Sequence, residues 1–370
     1  MTPTPVCVLL GGPSAEHDVS LVSGRAIGGA LAARGHAVEG WLIDLAGGWW
    51  RLPAAALDGA LPATAFDDPA TLGGEGPLGA AAALEQLAAR RPAPTIFIAL
   101  HGPFGEDGTV QALCEAAGLA YTGCGVAASA IGMDKALFKR IIGALGMSVV
   151  PWLEISASDW RADRASARQR VLDYMADLPD PRLMIKPARL GSSVGMTIVH
   201  QPSELDAALD EAFGFDDLAL AEAYLDHPRE LELSVLGNAA ADLEVFGPGE
   251  IFPGHEFYDY VAKYTPDVSR TTDQPQVSDA LREQLHDLAA RAFLAIGGSG
   301  FARVDFLVAG ERVFLNEINT IPGFTPISLF PVLCRQGGYD FGAAAERIVE
   351  LARQRAAARP ARVLTRADLP

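Results

Sequence analysis

Residues 5–10, PVCVLL, form a short apolar run that breaks at Gly11-Gly12 and gives way to a helical segment reaching about Arg34. A second strand pattern follows at 37–43 (AVEGWLI), and after a helix at 78–91 comes a third, TIFIAL at 95–100. Repeated β-α-β alternation leaves few solutions, because parallel strands need crossover connections. The chain therefore builds an α/β fold with a parallel sheet carrying helices on its faces. Residues 44–80, rich in Gly, Pro and Ala with the pair Trp49-Trp50, read as a surface elaboration.

The chain has 370 residues, too many for one core, so two or three domains are expected. Near 125 the pattern changes. A helix at 134–145 stops at Gly146, strand-like segments occupy 148–155, 183–186 and 195–199, and a helix fits 203–213. From about 228, RELELSVLG reads as a strand. Residues 247–277 are long and irregular, which suits a lid. A helix at 278–296, paired strands at 301–308 and 312–318, and a helix near 341–357 complete the chain. The resulting division is 1–124, 125–227 and 228–360, with a tail at 361–370.

The balance of 29 Lys and Arg against 46 Asp and Glu gives a net charge of −17, which excludes nucleic acid and anionic membranes as partners. A site for any anionic ligand must then carry its own cations. Cys7, Cys114, Cys124 and Cys334 have the spacing of neither a zinc site nor a redox pair and read as free buried thiols. The N-terminus lacks a basic leader, and no stretch approaches the roughly 20 apolar residues of a bilayer span. A cytoplasmic protein is expected.

The segment FARVDFLVAGERVFLNEINTIPG, 301–323, carries the most chemistry. Side chains alternate along a strand, so Arg303 and Asp305 share a face, as do Glu317 and Asn319. With a three-residue loop, odd positions oppose odd positions and all four lie on one side, opposite Val304, Phe306, Phe314 and Ile318. Asp, Glu and Asn are hard oxygen ligands suited to Mg²⁺, and Arg303 can hold a phosphoryl oxygen or an oxyanion. Alone, the segment also fits an ordinary hairpin with a solvated polar face. IKPARLGSSVGM, 185–196, joins Lys186 to a Gly-Ser loop whose backbone N–H groups can cup an anion, or is a plain connecting loop. Lys135 and Lys139 stand one helical turn apart, as a basic group or as a solvated face. Glu16 and His101 each follow a strand end, where open α/β sheets place ligands, although either also reads as structural. HEFYDYVAKY, 255–264, lies within the irregular stretch.

Taken in order, GGPSAEHDVSLVSG, HGPFGEDGTVQ, YTGCGVAASAIGMDK, KPARLGSSVGM, FYDYVAKY, FARVDF and NEINTIPGFTPIS closely resemble the D-alanine–D-alanine ligases of the ATP-grasp superfamily. The resemblance covers about residues 6–355. It implies a three-domain ATP-grasp fold with ATP held between the central and C-terminal domains, two Mg²⁺ ions (or Mn²⁺), and a homodimer. It implies that ATP phosphorylates one D-alanine carboxylate and that the amine of a second D-alanine attacks the acyl phosphate.

The same resemblance suggests individual roles. Lys135 and Lys186 would bind ATP phosphates, with Glu222 at the adenine or ribose and Glu230 as another nucleotide contact. Asp305, Glu317 and Asn319 would hold the metal, and Arg303 and the Gly323 N–H would stabilise the tetrahedral intermediate. Glu16 would hold the first substrate's ammonium, with Ser192 and Tyr264 completing a triad that closes the lid. His101 would touch the first substrate, and Lys263 and Ser328 the second substrate's carboxylate. FYDYVAKY resembles the dipeptide-forming members, which favours an amine nucleophile. The stretch TPDVSRTTDQPQVSD departs from the family after the lid Tyr, and Ala223 stands where some members carry Lys. D-serine or D-lactate as second substrate, and a nucleotide-binding regulator that has lost turnover, are the competing readings.

Overall fold

In the computed structural model, which describes residues 5–57, 61–254 and 269–359, the first strand β1 (Pro5–Gly11) lies at the heart of a five-stranded sheet. Val6 to Leu10 are fully buried, as expected of a strand covered on both faces. β2 (Ala37–Ile43) and β5 (Thr95–Ile98) flank β1 in parallel, with helices α1 (His17–Ala33) and α2 (Ala80–Ala88) as crossovers. The stretch at 44–80 is not mere elaboration. β3 (Trp49–Leu52) and β4 (Glu75–Leu78) extend the sheet antiparallel, in the order β4-β3-β2-β1-β5. Trp49 is fully buried, and Trp50 donates its indole N–H to Asp44 at 2.8 Å. α3 (Thr109–Ala116) follows β5.

The second sheet is antiparallel, ordered β6-β9-β7-β8, from β6 (Trp152–Ser156), β7 (Leu183–Pro187), β8 (Thr197–Val199) and β9 (Leu218–Ala223). Helices α6 (Ala157–Ala162), α7 (Arg164–Ala176) and α8 (Leu205–Ala212) supply Trp160, Val171 and Leu209 to its core. The helices before it, α4 (Val126–Met133) and α5 (Lys135–Ala144), pack elsewhere. Phe138 and Ile142 belong to the core of the third sheet, together with Leu231, Phe293 and Ile318.

That third sheet runs β12-β11-β10-β13-β14, all antiparallel: β10 (Arg229–Gly237), β11 (Glu244–Phe252), β12 (Arg270–Thr272), β13 (Gly300–Ala309) and β14 (Arg312–Asn319). The expected irregular stretch at 247–277 is therefore strand at both ends, and its middle, 255–268, lies outside the described residues. α9 (Asp279–Ala295), capped by Ser278, covers this sheet. α10 (Leu329–Cys334) and α11 (Phe341–Ala358) carry Phe330, Ala344 and Ile348 into the core of the first sheet. The end of the chain is thus bonded by packing to its beginning.

The β13–β14 hairpin reaches the expected facing by another route. Its loop has two residues, since Ala309 pairs with Arg312. A β-bulge at Asn316 then inserts one residue, so Asp305 opposes Glu317 and Arg303 opposes Asn319. Before the bulge the parity is reversed. Phe314 opposes Leu307, on the same side as Asp305 rather than with Val304.

Candidate active site

A cleft of about 830 Å³ opens where the three sheets meet, within the range of ligand pockets. β13 and β14 form its floor, the loop after β7 and the strand β9 one wall, and the strand ends of the first sheet the other.

On the floor, the Arg303 guanidinium grips Asp305 through two bonds of 2.7 Å, while its Nε lies 3.3 Å from Glu232 of β10. Burial opposes this charge, but Asp305 and Glu232 outweigh it and hold the guanidinium firmly protonated. Asn319 donates its amide N–H to Asp305 at 2.9 Å. Lys135, at the start of α5, places Nζ 3.3 Å from Glu317 and donates to the Leu190 carbonyl at 2.8 Å. Asp134 caps this helix through the Leu137 N–H, which fixes where Lys135 points. Glu230 lines the same cleft.

Along the wall, Lys186, one residue before the end of β7, lies 2.8 Å from Glu222 of β9, whose other oxygen is 2.9 Å from Lys139. Lys139 has no exposed surface, so the solvated-face reading of the Lys135–Lys139 pair is wrong for both residues. Burial alone would raise the Glu222 carboxyl, but the two lysines outweigh it and bring it below the usual range. Beyond β7, Ser192 and Ser193 adopt left-handed backbone angles, φ 50° and 56°, a conformation that persists only when its surroundings enforce it. Here Ser192 Oγ donates to Glu16 Oε1.

Glu16 is the N-cap of α1, yet its side chain makes no capping bond. Its carboxylate instead lies between two glycine backbones. A Cβ on Gly102 would come within 2.5 Å of Oε2, and one on Gly191 within 2.8 Å. His101, buried at the end of the first sheet, contacts Ser23 Oγ at 3.0 Å and the Ile321 carbonyl at 3.1 Å, with Glu106 at 3.5 Å. Burial pulls its pKa down, but the Glu106 bond and charge push it above the ordinary value. Ser328 Oγ accepts from the Thr325 N–H at 3.1 Å and sits 3.5 Å from where a Cβ on Gly323 would stand.

Glu16, His101, Lys135, Lys186, Ser192, Glu222, Glu230, Arg303, Asp305, Glu317, Asn319, Gly323 and Ser328 all border this cleft. Lys263 and Tyr264 lie outside the described residues. The sequence did not single out Glu106 or Glu232, and it left Lys139 open between a basic group and a solvated face. Only Lys139 had a signal. It shares a stripe with Phe138 and Ile142 on α5, so the apolar spacing already pointed it inward. Among the described residues no three His, Cys, Asp or Glu side chains converge as a metal cluster. The oxygen donors here are two carboxylates and one amide, which suits a hard divalent ion sharing its coordination with phosphate and water rather than an all-protein cage.

Two family models match the chain: "D-ala D-ala ligase N-terminus" over residues 5–124 and "D-ala D-ala ligase C-terminus" over residues 141–350. The D-alanine–D-alanine ligase of Heliobacterium modesticaldum is 40% identical over 94% of this chain and 93% of its own. That of Deinococcus radiodurans is 39% identical over 94% and 98%. Among solved structures, the Coxiella burnetii D-alanine-D-alanine ligase superposes with a TM-score of 0.78 at 30% identity, covering 96% of each chain. The VanG D-Ala:D-Ser ligase of Enterococcus faecalis superposes at 0.79 with 29% identity, covering 95% of this chain and 100% of its own.

Proposed function

The chain belongs to the D-alanine–D-alanine ligase family, and on that premise we propose that its cleft joins two D-alanine molecules to D-alanyl-D-alanine while ATP becomes ADP and phosphate. It is an ATP-dependent ligase of the three-domain ATP-grasp fold, serving cell-wall synthesis. The competing acceptors D-serine and D-lactate are less favoured, because the relatives at 39–40% identity are D-alanine ligases.

In this reading Glu16, fixed by Ser192, takes the ammonium of the first D-alanine, and His101 contacts the same molecule. Lys135 and Lys186 meet the ATP phosphates, so Lys186 exchanges Glu222 for phosphate as ATP enters. The substrate carboxylate oxygen attacks the γ-phosphorus, the bond to ADP breaks, and an acyl phosphate results. The carboxylate thereby gains a leaving group. Lys263 and Ser328 orient the second D-alanine by its carboxylate; its ammonium loses a proton to solvent, the free amine adds to the acyl carbon, and the nitrogen sheds a second proton as the C–N bond forms. Arg303 and the Gly323 N–H hold the resulting oxyanion until phosphate departs with the C–O electron pair. Asp305, Glu317 and Asn319 would hold magnesium, which supplies charge neutralisation to the triphosphate when bound. Tyr264 would join Glu16 and Ser192 when the lid closes.

The observation that carries this reading is the Glu16–Ser192 bond. It ties the N-terminus of α1 to the loop after β7 within the cleft that the Lys135–Glu317 pair also lines, so molecules bound there can meet both. ADP release should require D-alanine and a divalent ion together. ADP formation indifferent to D-alanine would overturn the assignment.

A further inference from the structure

Glu232 has no role in the mechanism above, yet it reaches the residue that would hold the oxyanion. It stands on β10 opposite Asp305 of β13, which in turn opposes Glu317 of β14, so three carboxylates cross the cleft floor in one row. Arg303 occupies the next row, between Ser234 and Asn319. The Ser234 hydroxyl is turned away from it and donates to the Phe330 carbonyl at 3.0 Å. The guanidinium instead leans on two acids of the neighbouring row, Asp305 at 2.7 Å and Glu232 at 3.3 Å.

Those two acids are not equivalent. Asp305 takes both guanidinium bonds, and its Oδ2 also accepts from Asn319, so both lone pairs of that oxygen are in use. Asp305 is also an acid assigned to magnesium. It cannot keep its full grip on the guanidinium and coordinate a divalent ion through the same oxygens, and two cations sharing one carboxylate repel each other. Glu232 lies on the other side of Asp305 from Glu317 and Asn319, so the metal residues leave it to Arg303. It is only 6% exposed, and a carboxylate so placed is costly unless a cation pairs with it. It meets Arg303 at Nε, and the guanidinium is a rigid plane. A carboxylate there sets the direction of the plane without occupying the terminal nitrogens that an oxyanion needs.

We propose that Glu232 is a positioning residue for Arg303: from β10 it holds the guanidinium at Nε and keeps the terminal N–H groups aimed at the oxyanion once Asp305 serves the metal. The inference rests on the cleft's being the ligase site. Glu232 acts only through Arg303 and touches neither substrate.

The test is calorimetric binding of a phosphinate analogue of D-alanyl-D-alanine to the full-length protein with Mg²⁺ and ADP present. The analogue's tetrahedral P–O⁻ stands where the oxyanion would form. ADP binding is measured separately. Glu232→Gln keeps the shape of the side chain and removes its charge. Analogue affinity should fall roughly tenfold, the scale of one charge-assisted hydrogen bond, while ADP affinity stays within about twofold. In an Arg303→Lys background the substitution should add no further loss, because the planar fork it aims is gone. Unchanged analogue affinity, a parallel loss for ADP, or an equal loss in both backgrounds would overturn the proposal. If Glu232→Gln does not fold, Glu232→Asp, which draws the charge back by one methylene, carries the measurement with the same selective loss expected. Failure of both to fold assigns Glu232 to stability and equally overturns it. Dipeptide formation by the wild type is read alongside. Its absence would sink the ligase reading and this one with it, whereas a wild type that forms dipeptide and a Glu232→Gln variant that keeps full analogue affinity would sink this inference alone.

Discussion

Gly191→Ala isolates the contact between the Gly-Ser loop and Glu16. Gly191 has no left-handed backbone angle, so alanine brings no conformational strain of its own. The added Cβ would stand 2.8 Å from Glu16 Oε2 and 3.4 Å from its carboxyl carbon. Ordinary contact begins near 3.4 Å, so the carboxylate must retreat by about 0.6 Å. It is the end of a flexible side chain, and the fold should absorb that movement with little change in melting temperature. Catalysis should not. A displacement of about 1 Å at a substrate-positioning group costs up to roughly 100-fold, so a loss near tenfold in kcat/KM for D-alanine is expected here. Coupled ADP release, with D-alanine and ATP varied separately, reads the effect, and the KM for ATP should move much less. Shortening the acid should relieve the clash, so Glu16→Asp should cost less in the Gly191→Ala background than in the wild type. Equal loss toward both substrates, or full additivity of the two changes, would refute the steric argument.

Other outcomes follow from the same geometry. Glu317→Ala should abolish turnover, read as ADP release, and should free the Lys135 ammonium that now lies 3.3 Å away. Retained activity would remove Glu317 from the metal set. On the lid role proposed above for Tyr264, Tyr264→Phe should lower turnover while ATP binding measured by calorimetry stays within about twofold, since such a contact would act after the nucleotide has entered. The Glu222 carboxyl is held below the usual range by two lysines that outweigh its burial, so the folded form binds its proton less readily than the unfolded chain. Its stabilising contribution is therefore complete above the ordinary glutamate value near pH 4.5 and is lost as pH falls through the lower folded value. Melting temperatures recorded down to pH 4 and below should fall more steeply for the wild type than for Glu222→Gln; parallel curves would contradict this.

Much of the site could be read from the chain because its chemistry is concentrated in strand ends and loops with fixed spacing. β1, β2 and α1 were legible because periodicity and Gly11-Gly12 agree. Arg303, Asp305, Glu317 and Asn319 were placed on one face correctly, although for a partly wrong reason. A bulge at Asn316 sets the parity, and alternation cannot reveal where a strand gains a residue. β3 and β4 were missed because four-residue strands in a Gly- and Pro-rich stretch are too short to show an alternating pattern. β9, LALAEA, was missed because alanine favours helix in isolation and becomes strand only between β6 and β7. α7 carries mostly polar residues, and only Ala167, Val171 and Met175 mark its buried stripe. The solvated-face alternative stayed open for Lys139 because its charge masked its place beside Phe138 and Ile142 in the same buried stripe.

Isotope transfer tests the heart of the account. D-alanine labelled with ¹⁸O in both carboxylate oxygens, incubated with the protein, ATP and Mg²⁺, should yield D-alanyl-D-alanine together with inorganic phosphate carrying one ¹⁸O, since that oxygen crosses from carboxylate to phosphorus in the acyl phosphate. Dipeptide accompanied by unlabelled phosphate, or labelled phosphate with no dipeptide, would contradict it.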